Sequence, residues 1–268
     1  MSFKLGVIGG GVMAEAIISR LLAQNIYIAS EIIISDPALS RRQWWQEKYQ
    51  VETTTDNQRV LDDSQVLLLA IKPQIFERVV EGLTINPHRH IPLILSILAG
   101  TSLSQLERAF ASLPIIRVMP NTPALVGQGM SAIAPNGKVS ESQLSLALSL
   151  FEAIGSVIQV PEYQMDAVTG LSGSGPAFVA LMIEALADGG VASGLPRAIA
   201  LELAVQTVLG TAELVKQKNL HPALLKDQVT SPGGTTIAGV AALEEKGFRS
   251  AVISAVKSAY LRSQELSL

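Results

Sequence analysis

Leu5-Gly6-Val7-Ile8-Gly9-Gly10-Gly11-Val12-Met13-Ala14 is the stretch that decides the fold. Leu5 to Ile8 is a short apolar run that suits one buried strand, and three glycines follow it directly. Beyond them Met13, Ala14, Ile17, Ile18, Leu21 and Leu22 recur at helical spacing. Strand, tight turn and helix in this order fit the G-x-G-x-x-G/A fingerprint of a dinucleotide site. Gly9 permits the turn, Gly11 lets the backbone approach a pyrophosphate, and Ala14 lets the helix pack close to the strand, its N-terminus toward phosphate. Glycine turns also serve plain strand-to-helix connections, and the strand, helix and second strand around this one favour a cofactor.

Working outward, Ile32 to Ile34, Val66 to Ile71 and Leu93 to Leu98 read as further buried strands with helix-compatible segments or loops between them. Near-continuous apolar strands alternating with helices predict a parallel sheet covered on both faces, a Rossmann-like doubly wound α/β domain. Weaker strands are expected at Ile115 to Met119, Met130 to Ala134 and Val157 to Val160, with a helix over Glu141 to Ala153. The pattern stops near Pro161. Long helix-compatible runs follow at Ala177 to Leu186, Pro196 to Lys218 and Phe248 to Leu266, the second with proline at a plausible first helical position. Two domains are therefore expected: a dinucleotide-binding domain over residues 1–161 and an all-helical domain over 162–268, with a boundary near 160 to 165.

The third residue set lies at the carboxyl edge of the sheet, where ligands of open α/β sheets bind. Ser35-Asp36-Pro37 follows the second strand. An acidic group there suits the ribose diol of NAD, whereas Arg41 and Arg42 suit the extra phosphate of NADP, and Asp36 also reads as a turn residue before Pro37. The choice stays open at this level. Lys72, in Ala70-Ile71-Lys72-Pro73, has three readings: against cofactor phosphates, against a substrate carboxylate, or as a solvated strand-end lysine. Ala99-Gly100-Thr101 and Met119-Pro120-Asn121-Thr122-Pro123 fall at the same edge and suit a rigid floor for a nicotinamide ring.

Bulk properties narrow the function classes. In 268 residues, 48% are hydrophobic and 16% charged, and the formal net charge of -3 comes without any basic cluster, so nucleic acid is not an expected partner. With 0 cysteines, disulfides, thiolate metal sites and cysteine nucleophiles are excluded, and redox chemistry needs a borrowed cofactor. The start of the chain runs into a strand without a secretory signal pattern, so a cytoplasmic location is expected. Mean hydropathy is +0.36, yet charge, Pro or Gly interrupts every apolar run short of a spanning length, and the excess apolar surface is assigned to a subunit interface rather than a membrane. His88, His90 and His221 lack a matching nucleophile or ligand spacing, so no metal site is expected, and His88 and His90 are placed in a surface loop.

Two stretches of the second half bear on a substrate. Thr169-Gly170-Leu171-Ser172-Gly173-Ser174-Gly175-Pro176-Ala177 implies close backbone approach, either to a ligand or to another helix. Leu225 to Thr236 ends in Ser231-Pro232-Gly233-Gly234-Thr235-Thr236, a glycine loop feeding a helix on which Ile237, Val240 and Leu243 recur. Free N–H groups at its start, the positive end of the helix dipole and two hydroxyls form a carboxylate cradle. Alternatively Thr235 simply caps the helix.

These runs, with Ala185 to Val191, Gly194 to Arg197, Met119 to Pro123 and the opening fingerprint, resemble pyrroline-5-carboxylate reductases across essentially the whole chain. The resemblance implies a Rossmann domain joined to a helical dimerisation domain that interlocks with its partner's, in a homodimer that assembles into larger rings such as a decamer. It implies reduction of 1-pyrroline-5-carboxylate to L-proline by NADPH, with NADH as the alternative donor. Carried over residue by residue, Ser231, Gly234, Thr235 and Thr236 hold the substrate carboxylate and ring nitrogen, Val229 lines the ring and Glu162 lies close to the substrate. Ile8, Gly9, Gly10, Gly11, Val12, Met13, Ser35, Asp36, Asn57, Ala70, Lys72, Pro73, Ala99, Gly100 and Asn121 form the cofactor set, with Gln228 reaching it from the helical domain. Asp36 departs from relatives that carry Ser there, and Gln228 from relatives with Asn.

A C=N reduction requires a hydride on carbon and a proton on nitrogen, and the cofactor supplies the first. Thr236, or a water beside it, is the candidate proton donor. A dehydrogenase of 3-hydroxy acids shares the two-domain plan, but it would normally want a lysine acid on the first helix of the second domain, where this chain has only small and apolar residues. A dinucleotide-binding regulator without turnover is the alternative from another class.

Overall fold

Among the described residues eight strands form one sheet, and alternate residues of its central strands feed two separate cores. The computed structural model describes residues 3–85, 91–111 and 113–266. The strands are β1 (Phe3–Ile8), β2 (Ile32–Ser35), β3 (Glu52–Thr54), β4 (Ser64–Leu69), β5 (Leu93–Ser96), β6 (Ile115–Met119), β7 (Gly129–Pro135) and β8 (Gly155–Gln159). Their order across the sheet is β3-β2-β1-β4-β5-β6-β7-β8. Ile32, Ile34, Val66, Leu68, Leu93 and Leu95 point into one core with Leu5, Val7, Ile17 and Trp45. Ile33, Leu67, Leu69 and Ile94 point into the other with Val60, Phe76 and Leu106. A strand buried on both faces has no polar side, which explains the near-continuous apolar runs.

The first six strands pair in parallel, as expected for a doubly wound sheet. β7 departs from the all-parallel expectation: it runs antiparallel to β6, while β8 is parallel to β7. The short β6 to β7 connection, a single turn over Thr122–Val126, is too brief for the crossover a parallel partner needs. Gly155 fixes the last pairing, since its φ is +147° and a Cβ there would lie 1.9 Å from the Gly129 carbonyl oxygen.

Along the sheet, helices cover it or close its edge at α1 (Val12–Ala23), α2 (Leu39–Tyr49), α3 (Asn57–Asp63), α4 (Phe76–Glu81), α5 (Leu103–Ala109), α6 (Glu141–Glu152) and α7 (Met165–Val168). Ser102 and Ser140 open α5 and α6 with capping boxes to Gln105 and Gln143. The remaining helices are α8 (Gly175–Ala192), α9 (Arg197–Lys218), α10 (Pro222–Gln228), α11 (Thr235–Glu245) and α12 (Phe248–Leu266). By compactness the chain divides into one unit of residues 1–174 and 259–268 and another of Gly175–Ser258. His88 and His90 lie outside the described residues.

The second unit is built from helices with little core of their own. Ala187, Ala200 and Ala204 are buried where α8 meets α9, while Leu181, Leu203, Leu209 and Ile253 stand more than half exposed. The helical run Glu162–Ala192 and α9 reach mean hydropathies of 1.4 and 1.5 and are long and apolar enough to cross a membrane by length and composition, contrary to the expectation from broken apolar runs. A cleft of about 780 Å³ between α8 and α9 is lined by Glu184, Asp188 and Arg197 among Ala177, Leu181 and Leu201.

Candidate functional site

The glycine turn is shaped by contacts that only glycine allows. Gly9 has φ +101°, and a Cβ on it would come 2.6 Å from the Ala70 carbonyl oxygen. Its N–H donates to the Ser35 carbonyl at 2.8 Å, so the end of β1 is tied to β2 and crowded by β4 at once. Gly10 lies on Trp45, whose indole N–H donates to the Gly10 carbonyl at 2.9 Å from a fully buried ring. Gly11 is different: a Cβ there would meet nothing within 4 Å. It is also the N-cap of α1 and supplies no side-chain cap, so the first N–H groups of that helix face an open surface. The turn thus has a clamped underside and a bare upper side, which is the shape a pyrophosphate requires.

Around this turn the expected cofactor residues sit at the ends of β2, β4, β5 and β6. Ile8 is buried, and its carbonyl accepts the Ala70 N–H at 2.9 Å, so it offers only backbone. Val12 is exposed on the first turn of α1, with Met13 beside it. Ser35 is buried and its hydroxyl is bonded to the Asn57 side-chain oxygen, which joins β2 to the start of α3. Asp36 performs the turn role: one carboxylate oxygen accepts the Gly10 N–H at 2.9 Å and the other the Ala38 N–H at 2.9 Å. Lys72 and Pro73 are exposed at the one-turn helix Pro73–Ile75.

Past β5 and β6 the loops are held by side chains. Ala99 is half-buried, and Gly100 (φ +73°) packs against Leu266 of α12, where a Cβ would lie 3.3 Å from the Leu266 Cβ. Asn121 uses its amide internally: Nδ2 donates to the Ser172 carbonyl at 3.2 Å, and Oδ1 accepts the Met130 N–H at 2.8 Å. Glu162 anchors the same edge. Its Oε1 accepts from Arg117 Nη1 at 2.8 Å and from the Leu103 N–H at 2.9 Å, while Oε2 is buried without a hydrogen-bond partner among the described residues. Arg117 is 5% exposed and also lies 3.7 Å from Asp166, whose carboxylate accepts the Ser263 hydroxyl at 2.7 Å.

The second unit carries the other expected site. His221 caps α10, its Nδ1 accepting the Ala223 N–H at 3.2 Å, and Gln228 ends that helix exposed. Val229 follows and is 58% exposed. Ser231 then folds under the loop. Gly233 has φ +66°, which favours glycine, and a Cβ on Gly234 would lie 2.3 Å from the Ser231 Oγ and force that side chain to move. The N-cap of α11 is Gly234, and no side chain caps the helix, so the reading of Thr235 as a simple cap is not realised. Thr235 is exposed and Thr236 half-buried in the first turn, and neither hydroxyl is engaged among the described residues. The start of this 11-residue helix is thus its positive end with no side-chain cap, and two threonines stand in its first turn.

Some residues that shape these sites were not singled out from sequence. Trp45 beneath the glycine turn had no motif to mark it. Arg117 did leave a signal: one arginine inside the apolar strand Ile115–Met119 demands buried partners.

Comparison with known proteins matches this arrangement. Residues 162–266 fit the family model described as pyrroline-5-carboxylate reductase dimerisation, and residues 4–100 the model described as NADP oxidoreductase, coenzyme F420-dependent. A pyrroline-5-carboxylate reductase of Synechocystis sp. is 60% identical over 266 residues, covering 99% of each chain. That of Escherichia coli is 39% identical over 268 residues, 100% of this chain and 99% of the relative. Among solved structures, the Plasmodium falciparum pyrroline carboxylate reductase with NADP bound superposes with a TM-score of 0.89 at 31% identity, covering 99% of this chain and 98% of the other. The Streptococcus pyogenes 1-pyrroline-5-carboxylate reductase gives 0.88 at 36% identity, covering 98% and 99%. With relatives of this family matched over essentially its whole length, the chain belongs to the pyrroline-5-carboxylate reductase family.

Proposed function

We propose that this chain transfers a hydride from NADPH or NADH to the C=N bond of 1-pyrroline-5-carboxylate, giving L-proline in the last step of proline biosynthesis. The observation that carries the reading is the start of α11, where Gly234 supplies no side-chain cap and the hydroxyls of Thr235 and Thr236 have no hydrogen-bond partner among the described residues. The substrate pairs a carboxylate with a ring nitrogen, and that helix start meets both needs.

The glycine turn fits a dinucleotide, because it is closed below by Ala70 and Trp45 and open above at Gly11. Gly9 to Met13 would hold the pyrophosphate, with Asn57, Ala70, Lys72 and Pro73 along the adjoining edge. When bound, the reduced nicotinamide supplies the hydride. Ser231, Thr235 and Thr236 fix the carboxylate and ring nitrogen, and Val229 lines the ring. The Thr236 hydroxyl, or a water held by it, passes the proton to nitrogen as the carbon is reduced. An imine of this kind arrives partly protonated, so orientation rather than strong acid catalysis carries most of the rate.

The dimerisation match marks residues 162–266 as the oligomerisation part, and the unburied apolar faces of α8, α9 and α12 are the surfaces a second copy covers. Homodimers with interlocked helical domains would then assemble into a ring such as a decamer, in the cytoplasm. The dinucleotide-binding part would then comprise residues 1–161 and the substrate-binding and dimerisation part 162–268, a division supported by the family match over 162–266. Purified protein given racemic pyrroline-5-carboxylate should oxidise NADPH or NADH and release proline. Tight dinucleotide binding without turnover on any cyclic imine would instead identify a cofactor-binding regulator.

A further inference from the structure

In the order of this sheet β2 lies on one side of β1, and β4 and then β5 on the other. A dinucleotide with its adenosine half at the end of β2 therefore brings its nicotinamide half to the ends of β4 and β5. The loop Ala99-Gly100-Thr101 follows β5 there, and it has little of its own to fix it. Among the described residues its backbone makes one hydrogen bond, from the Thr101 N–H to the Leu98 carbonyl at 3.4 Å, and Gly100 takes φ +73°.

What holds this loop comes from elsewhere in the chain. Ser96, the last residue of β5, pairs in register with Arg117, and Arg117 Nη1 donates to the Glu162 oxygen that also accepts the Leu103 N–H just past the loop. One guanidinium thus ties both ends. The middle is covered by the last turn of α12, which from Ala259 onward belongs to the same unit. Leu266 lies over Gly100, its Cβ 3.3 Å from where a Gly100 Cβ would stand. One turn earlier, Ser263 is the buried residue of this 19-residue helix, 4% exposed, and its hydroxyl donates to Asp166 at 2.7 Å. A helix that buries a serine while leaving Ile253 67% exposed has its end seated by a hydrogen bond to a charged group, the stronger kind.

We propose that Ser263 and Leu266 are positioning residues for hydride transfer: they clasp the loop after β5 in the conformation that supports one face of the nicotinamide ring. Neither touches the reacting atoms. Dinucleotide affinity comes largely from the phosphates, so loosening the clasp costs turnover rather than binding. This rests on the reductase reading above, and the test separates the two. Hydrogen–deuterium exchange of the peptide spanning residues 97–103 reads the clasp without turnover, and Ser263→Ala and Leu266→Ala should each speed it by about fivefold or more. In both variants kcat on pyrroline-5-carboxylate should fall about tenfold, with a larger isotope effect from NADPH deuterated at the transferred position, while NADPH affinity by calorimetry stays within about threefold. Ser263→Thr should restore exchange and kcat together. Arg262→Met, on the same turn but at a side chain 66% exposed, should change neither. Unchanged exchange in both alanine variants, faster exchange with kcat intact, or a kcat loss matched by an equal loss of NADPH affinity would each overturn the proposal. A parent protein that consumes no reduced cofactor while the exchange contrast persists would refute the reductase reading and uphold the clasp.

Discussion

Replacing Arg117 by methionine removes the cation at the centre of the network that joins β6, the start of α5, the helical run at Glu162 and the end of α12. The guanidinium is 5% exposed and faces Glu162 at 2.8 Å and Asp166 at 3.7 Å. Methionine fills the volume, but it leaves two carboxylates with their common cation gone. Truncating one partner of a buried pair costs about 3–5 kcal/mol, because the remaining charge has lost its compensation. The carboxylates here are 32% and 20% exposed and regain some water, which places the expected loss near the lower bound, about 3 kcal/mol. For a chain of this size that corresponds to a fall in Tm of roughly 6–12 °C. Denaturant unfolding at fixed protein concentration measures it directly, the concentration being held because subunit association adds to apparent stability. Arg262→Met is the control: its pair with Glu265 is 66% and 60% exposed and should cost no more than about 0.5 kcal/mol. If Arg117→Met lost less than about 1 kcal/mol, comparable to an ordinary surface change, the network would not be holding these elements together.

Gly9→Ala should cost about 1–3 kcal/mol of stability and abolish measurable NADPH binding by calorimetry, because alanine at φ +101° places its methyl 2.6 Å from the Ala70 carbonyl oxygen. Retained affinity would show that the turn does not hold the cofactor. Burial and, secondarily, the Glu31 carboxylate raise the Tyr27 phenol above its ordinary value of 10.0. Its folded-state value exceeds the unfolded one, so the associated stability is complete below about pH 10 and is lost as pH rises through the folded value. Unfolding midpoints above pH 10 should therefore fall more steeply for the native protein than for Tyr27→Phe, and parallel slopes would refute this.

Much of the first unit was legible because burial on two faces writes itself as uninterrupted apolar runs: β1, β2, β4, β5 and β6 lie within a few residues of the expected positions. The three-residue edge strand β3, Glu-Thr-Thr, carries no such run and gave no signal. The reversal of β7 was equally silent, since a strand covered on both faces looks the same in either direction. In the helical part, α12 was legible from end to end, whereas α10 is only seven residues long and depends on the His221 cap and Pro222 rather than on periodicity. The cofactor turn could be read because each glycine has a steric reason. The engagement of Asp36, Asn121 and Glu162 by backbone N–H groups and by Arg117 could not, because these partners come from distant parts of the chain. Sequence left Thr235 and Thr236 between cap and ligand cradle; the coordinates assign the cap to Gly234 and leave the hydroxyls available.

The most direct test of the central claim separates cofactor binding from turnover in Thr236→Ala. NADPH affinity should stay within about twofold of the parent protein, while kcat on pyrroline-5-carboxylate should fall by roughly a hundredfold, the lower range for loss of a positioned proton donor. Unchanged kcat would contradict the account and remove the start of α11 from the chemistry.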